Sequence, residues 1–231
     1  MSSQLWPQYS LLCCLLLGWL APACAGFSPE QLEWLNSEAE HPALQVNEGE
    51  LRFMVTGPEK PEHQQTMQIT ITNDTMHTGW AQVSQCHENL DQVDRLEIVF
   101  RQGKVRNLQV VEFKNIADAR PQGHRVILRQ VQPDSRICVQ SESRIMQRSL
   151  EQGQRDVYEM TNGPFMRRFL DGFYPLNLSM QVDYPAQCLR LLEIQPEAQP
   201  GWQIRYDADR IFLKGRFEGK LITRFRFAPT R

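Results

Sequence analysis

Few side chains in this sequence stand where chemistry could use them. Histidines occur at positions 41, 63, 77, 87 and 124. No two of them are spaced i, i+4, so the helical metal-binding arrangement is missing. Cys86-His87-Glu88 is the one place where a thiol, an imidazole and a carboxylate are adjacent. Successive strand residues point to opposite faces, so Cys86 and His87 would not meet on a strand, and a cysteine nucleophile there needs its base from elsewhere. Asp207 and Asp209 flank a single residue and read as turn chemistry, because a calcium loop needs six or more oxygens and a glycine-bearing turn. No G-x-S-x-G, P-loop, G-x-G-x-x-G or S-x-x-K stretch is present. We therefore expect no catalytic residue, no metal site and no cofactor.

Beyond residue 25 the cysteines are Cys86, Cys138 and Cys188. Three is an odd number, so at most one internal disulfide can form, and spacing alone leaves the pairing open. A chain this long can bury a core without covalent staples, so all three also fit as small buried apolar residues.

Two groups of residues suggest binding rather than catalysis. Phe165, Met166, Phe169, Leu170 and Phe173 fall on one helical stripe, with Arg167 and Arg168 opposite. Asn162-Gly163-Pro164 reads as a helix start and Gly172 as its stop. A short amphipathic helix over 164–172 is the expectation, placed over the open end of a β-core. It would act as a packing plug, or as a lid where Phe165, Met166, Phe169 and Phe173 touch a lipid-like ligand. The second group is basic: Lys214 and Arg216 alternate with apolar residues on one strand, Arg224 and Arg226 on the next, and Arg205 precedes them. If those strands pair, the cations share a face. That face would be solvated edge protection, a dock for an acidic protein or anionic envelope polymer, or a partner for the chain's own acidic segment. Residues 26–62 carry eight acidic and two basic side chains, and residues 201–231 carry eight basic and three acidic.

The elements holding these groups alternate with a period of two. Met67, Ile69 and Ile71 alternate with Gln68, Thr70 and Thr72; Leu176, Leu178, Met180 and Val182 alternate with polar neighbours. Similar runs at 51–55, 80–86, 95–100, 105–113, 125–131, 136–146, 155–160, 189–194, 202–206, 211–217 and 221–227 give about 12–13 strands. The expectation is an all-β, antiparallel sandwich or partly open barrel. Residues 202–227 read as a three-stranded meander, with a tight hairpin at Glu218-Gly219 and a turn at 207–209. A further hairpin is expected around 150–154. One β-domain over 46–231 is expected, with two sandwiches over 46–147 and 148–231 as the alternative. A short helix over 28–40, within an N-terminal segment 26–45, begins at Ser28 and Pro29.

Residues 1–25 contain no Asp, Glu, Lys or Arg, and 11–20 are almost wholly apolar. With Ala23-Cys24-Ala25 after Pro22, they read as a secretory leader cleaved after Ala25. Lipid anchoring through Cys24 and an uncleaved anchor are the alternatives. Export puts the protein in the periplasm or outside the cell. No apolar run reaches the roughly 18 residues of a membrane-spanning helix. Across 231 residues, 41% hydrophobic and 23% charged with a net charge of -2, the composition excludes disordered and collagenous chains and argues against nucleic acid as a partner. The leading expectation is a non-enzymatic binding or envelope-assembly protein that recognises a protein or glycan. A carrier of hydrophobic ligands comes second and an enzyme of unrecognised type third.

Overall fold

The period-two runs do become strands. In this computed structural model, which describes residues 47–58, 61–151, 155–169 and 172–230, nearly all regular structure is β. The leader, Cys24 and the helix expected over 28–40 lie outside the described residues. The chain runs through β1 (Arg52–Phe53), β2 (Gln64–Thr70), helix α1 (Asn73–Thr78), β3 (Trp80–Glu88), β4 (Arg95–Val99) and β5 (Val105–Gln122). It continues through β6 (Arg125–Arg144), β7 (Met146–Glu151), β8 (Arg155–Phe165), β9 (Arg167–Phe169) and β10 (Gly172–Tyr174). The last strands are β11 (Leu176–Asp183), β12 (Leu189–Gln195), β13 (Trp202–Tyr206), β14 (Arg210–Glu218) and β15 (Leu221–Pro229).

Two sheets carry the fold and neither closes into a barrel. The larger has the order β1-β14-β11-β2-β3-β6-β4, with β13 also on β14 and β5 also on β6; the smaller is β12-β15-β8-β7. Pairing is antiparallel except between β2 and β11, which run parallel. The sheets face each other as a sandwich. Ile69, Val182, Leu213 and Phe217 from the first meet Met160, Leu189, Phe225 and Phe227 from the second in one continuous core. Burying each such side chain contributes about 1.5–3 kcal/mol, and that drives the stacking of the two sheets. Trp202 closes one flank by lying over Gly215, its partner across β13 and β14. A Cβ on Gly215 would sit 2.5 Å from the indole ring, so only glycine leaves that space.

β5 and β6 form a long two-stranded arm, and β4 pairs with the arm's far half from Arg125 to Arg129. The near half of β6, Arg136 to Arg144, pairs with β3 instead. Register shifts near Arg106, Val110 and Lys114 interrupt the arm, and such bulges strengthen its twist. Leu90, Ile98, Ile116, Val126, Leu128 and Ile137 give this region a second, smaller core.

Three expectations need correction. The helix over 164–172 does not form: β8 continues through Phe165 against Leu221 of β15, and β9 and β10 make a small hairpin. A stripe of nine residues is too short to hold a helix by itself, and strand partners satisfy the backbone instead. Residues 202–227 are not one meander, because β13 pairs with β14 but β15 belongs to the other sheet. Glu218-Gly219 is therefore a crossing between sheets rather than a hairpin. Gly219, at φ 84, passes so close to the backbone of Glu50 that no side chain fits. The basic face divides for the same reason. Lys214 and Arg216 point outward from the large sheet and Arg224 and Arg226 outward from the small one, so the four do not share a surface.

A short helix that the strand pattern did not anticipate is α1. Thr72 accepts from the Thr75 amide, Thr75 returns a hydroxyl contact to the Thr72 backbone, and Gly79 ends the helix at φ 80.

Candidate functional site

Where β2 and β3 approach one end of the sandwich, their inward side chains change character. On β2 and the residue before it, the inward series from the middle outward is Ile69, Met67, Gln65, His63; on β3 it is Ala81, Val83, Gln85, His87. The strands are in register, with Ile69 opposite Val83, Met67 opposite Gln85 and Gln65 opposite His87. Two glutamines and two histidines thus occupy positions where a sandwich normally keeps aliphatic residues, and each is at least nine-tenths buried.

They satisfy one another in a directed chain. The Gln65 amide donates to Gln85 Oε1 at 3.3 Å, and the Gln85 amide lies 3.2 Å from His87 Nε2. His87 Nδ1 lies 2.9 Å from His63 Nε2. With the Gln85 amide donating, His87 accepts at Nε2 and carries its proton on Nδ1, which donates to His63 Nε2. His63 then carries its own proton on Nδ1. Neither that N–H nor Gln65 Oε1 has a hydrogen-bond partner among the described residues. The chain therefore ends in one free donor and one free acceptor. Burial keeps both rings neutral: His63 is pushed down to about 4, with nearby Arg167 adding to the effect. His87 is pushed well below its ordinary value by burial and then by His63.

These four residues line a cavity of about 350 Å³ that opens to solvent. Its apolar walls include Met67, Val83 and Leu90, with Leu96, Ile98 and Phe100 of the β4 region on one side and Phe165 and Met166 on the other. Arg167 fixes the mouth: it grips Asp91 through two nitrogens at 2.5 and 3.0 Å and donates to the Pro175 carbonyl at 3.2 Å. A ~350 Å³ space with apolar walls and a few converging polar groups has the size and make-up of a small-ligand site.

Phe165 and Met166 border this cavity, while Phe169 and Phe173 do not. Phe173 is buried against Lys220 and Arg168 and pairs with Asn47, so it anchors the chain near residue 47. Phe169 stays largely exposed. Among the cations of the expected basic face, Arg216 is committed to the acidic segment of its own chain. It donates to both Glu62 oxygens at 2.6 and 2.8 Å and to the Thr56 carbonyl at 3.0 Å, holding the Glu62 carboxyl below its usual range. Arg226 reaches Glu193 at 3.1 Å. Arg205, Lys214 and Arg224 are exposed.

Cys86 turns outward, away from His87, and is bonded to Cys138 directly opposite on β6. Its sulfur therefore offers no thiolate. Cys188 is free and half-buried. Among the described residues no three of His, Cys, Asp and Glu converge as metal ligands, and no helix is long and apolar enough to cross a membrane. The chain matches no known protein-family profile and no curated protein at a significant level.

Proposed function

We propose that this is an exported, non-enzymatic binding protein that takes a glycan segment into the cavity at the end of the sandwich. The observation that carries the reading is the buried chain Gln65-Gln85-His87-His63, which lines an open cavity and ends in an unmatched N–H and an unmatched carbonyl oxygen. Buried polar groups cost stability unless partnered, and a sugar hydroxyl, both donor and acceptor, matches the two free ends. Leu96, Phe100 and Phe165 supply apolar wall against which the carbon face of a pyranose ring can lie. The Cys86–Cys138 disulfide supports an oxidising compartment, as does the uncharged apolar stretch over 1–25.

The carrier reading fits less well. An acyl chain in this cavity would leave the two free ends of the polar chain against hydrocarbon, at a cost of about 1–3 kcal/mol for each unmatched group. The deciding experiment is native mass spectrometry of the protein recovered from its own envelope extract, followed by organic extraction. A saccharide adduct that disappears in the Gln85→Leu variant supports the proposal. A fatty acid or phospholipid adduct that persists in that variant overturns it.

A further inference from the structure

On the outward face of β3 and β6 a charged group sits directly on the disulfide. Arg136 lies two residues before Cys138 on β6, so both side chains leave the same face of the strand. Its Nη2 is 3.6 Å from Cys138 Sγ and 4.0 Å from Cys86 Sγ. Glu88 at 3.5 Å and Glu112 at 3.1 Å hold the guanidinium in place. Glu112 Oε1 also lies 3.3 Å from Cys138 Sγ. Arg136 and both carboxylates are exposed, Cys86 is half-buried, and Cys138 is only 6% exposed.

A disulfide exchanges when a thiolate attacks one sulfur and the other sulfur leaves with the bonding electrons. The step is faster the better the leaving thiolate is stabilised. Cys86 is the more open of the two residues, so attack there makes Cys138 the leaving sulfur. The Arg136 guanidinium beside it lowers the cost of its negative charge. Once that thiolate takes up a proton, its S–H has the Glu112 carboxylate within reach as acceptor. A disulfide enclosed by aliphatic side chains would have neither group.

We propose that Cys86–Cys138 is a thiol-exchange site whose substrate is a dithiol, with Cys86 attacked and Arg136 stabilising the departing Cys138 thiolate. The first dithiol sulfur, as thiolate, bonds to Cys86 Sγ while the bond between the cysteines breaks and its electron pair leaves on Cys138. The second dithiol sulfur then attacks the first and releases Cys86. The dithiol is oxidised by two electrons to a cyclic disulfide, and its two protons pass to the two cysteines. The loop closed by this bond contains Leu96, Ile98 and Phe100, which wall the cavity. Exchange therefore removes a covalent constraint around that wall.

The test exposes the folded full chain to dithiothreitol without denaturant, quenches with iodoacetamide and reads labelling by peptide mass spectrometry. Cys86 and Cys138 should become labelled together within minutes at millimolar dithiol. Reduction should slow roughly tenfold in Arg136→Gln, stay near the parent rate in Arg136→Lys, and quicken in Glu112→Gln. Added salt should narrow these differences. Glutathione in place of the dithiol, quenched in acid, should be found on Cys86. Hydrogen exchange over 95–100 should be faster in the reduced protein. A bond that stays intact until urea is added makes the disulfide purely structural and overturns the proposal. Faster reduction in Arg136→Gln would mean that loosening of the strand governs the rate, and the role given to Arg136 fails. Glutathione found on Cys138 overturns the assignment of the attacked sulfur, and unchanged exchange over 95–100 overturns the link to the cavity wall.

Discussion

His63 and His87 are where the fold tolerates a proton least. His63 Nε2 and His87 Nδ1 lie 2.9 Å apart, nearly out of contact with water, and burial holds both rings in the neutral form. An unfolded histidine titrates near pH 6.5, while His63 in the folded protein titrates at about 4. Between those values the unfolded chain binds a proton that the folded chain does not, so stability falls as the pH falls through that window and levels off below it. For His63 alone the loss at pH 5 is about 2 kcal/mol, and His87 adds to it in the same direction. Urea unfolding at pH 7.5 and pH 5 checks this: the midpoint should drop at the lower pH, and much less so in a His63→Gln/His87→Gln variant. An equal drop in both proteins would assign the acid sensitivity to other groups. These residues were partly legible in the sequence. Met67, Ile69 and Ile71 set the inward phase, and stepping back by two reaches Gln65 and His63. Stepping forward from Ala81 and Val83 reaches Gln85 and His87. Ending the first strand at its last apolar residue hid the polar half of that face. The pairing of the two strands in register, which brings the four together, has no signature in either segment alone.

Among the elements, the β5–β6 arm depends most on a single covalent link. The Cys86–Cys138 bond spans 52 residues of sequence and encloses β4, β5 and the far half of β6. Closing a loop of that length removes about 4 kcal/mol of conformational freedom from the unfolded chain on the entropic account. A Cys86→Ala/Cys138→Ala variant should therefore lose stability of that order, read from its denaturation midpoint, while the unpaired Cys188 replaced by Ala should change little. Equal midpoints for the variant and the parent would show that β3–β6 pairing already fixes the arm. Most strands could be read from alternation because their residues meet one environment on each side. The segment after Pro164 could not, because Phe165, Met166, Phe169 and Phe173 satisfy a helical stripe and a strand–hairpin–strand path equally well. Pairing partners distant in sequence decide between them: Leu221 for Phe165, and Asn47 for Phe173. The same is true of the basic strands. Alternation placed Lys214, Arg216, Arg224 and Arg226 outward correctly, but only the sheet order shows that β14 and β15 face solvent on different sides.

At the scale of the whole molecule, the two apolar cores should not have equal stability. The sandwich core joins both sheets and contains most of the large, fully buried side chains, including Trp202, Phe217, Phe225 and Phe227. The core under the arm is smaller and built mainly from aliphatic residues such as Leu90, Val126, Leu128 and Ile137. β6 packs along its whole length on the smaller core, but Arg136 to Arg144 also pairs with β3 within the large sheet, whereas Arg125 to Arg129 lies between β4 and β5. β3 contributes Ala81 and Val83 to the sandwich core, and only the near half of β6 is tied to it, so the far half should open without the near half. Hydrogen exchange resolved along β6 is the measurement. Amides over 125–129 should exchange well before those over 136–144, and the cavity wall at Leu96, Ile98 and Phe100 should exchange with the faster group. Uniform protection along β6 would mean that the arm and the sandwich unfold as one unit. A cavity bounded by a firm sandwich face on one side and a more easily opened strand on the other can admit a ligand without disturbing the main core. Occupancy should then slow exchange over 95–100 more than anywhere in β11 or β14, a pattern that ties the opening of the arm to the site.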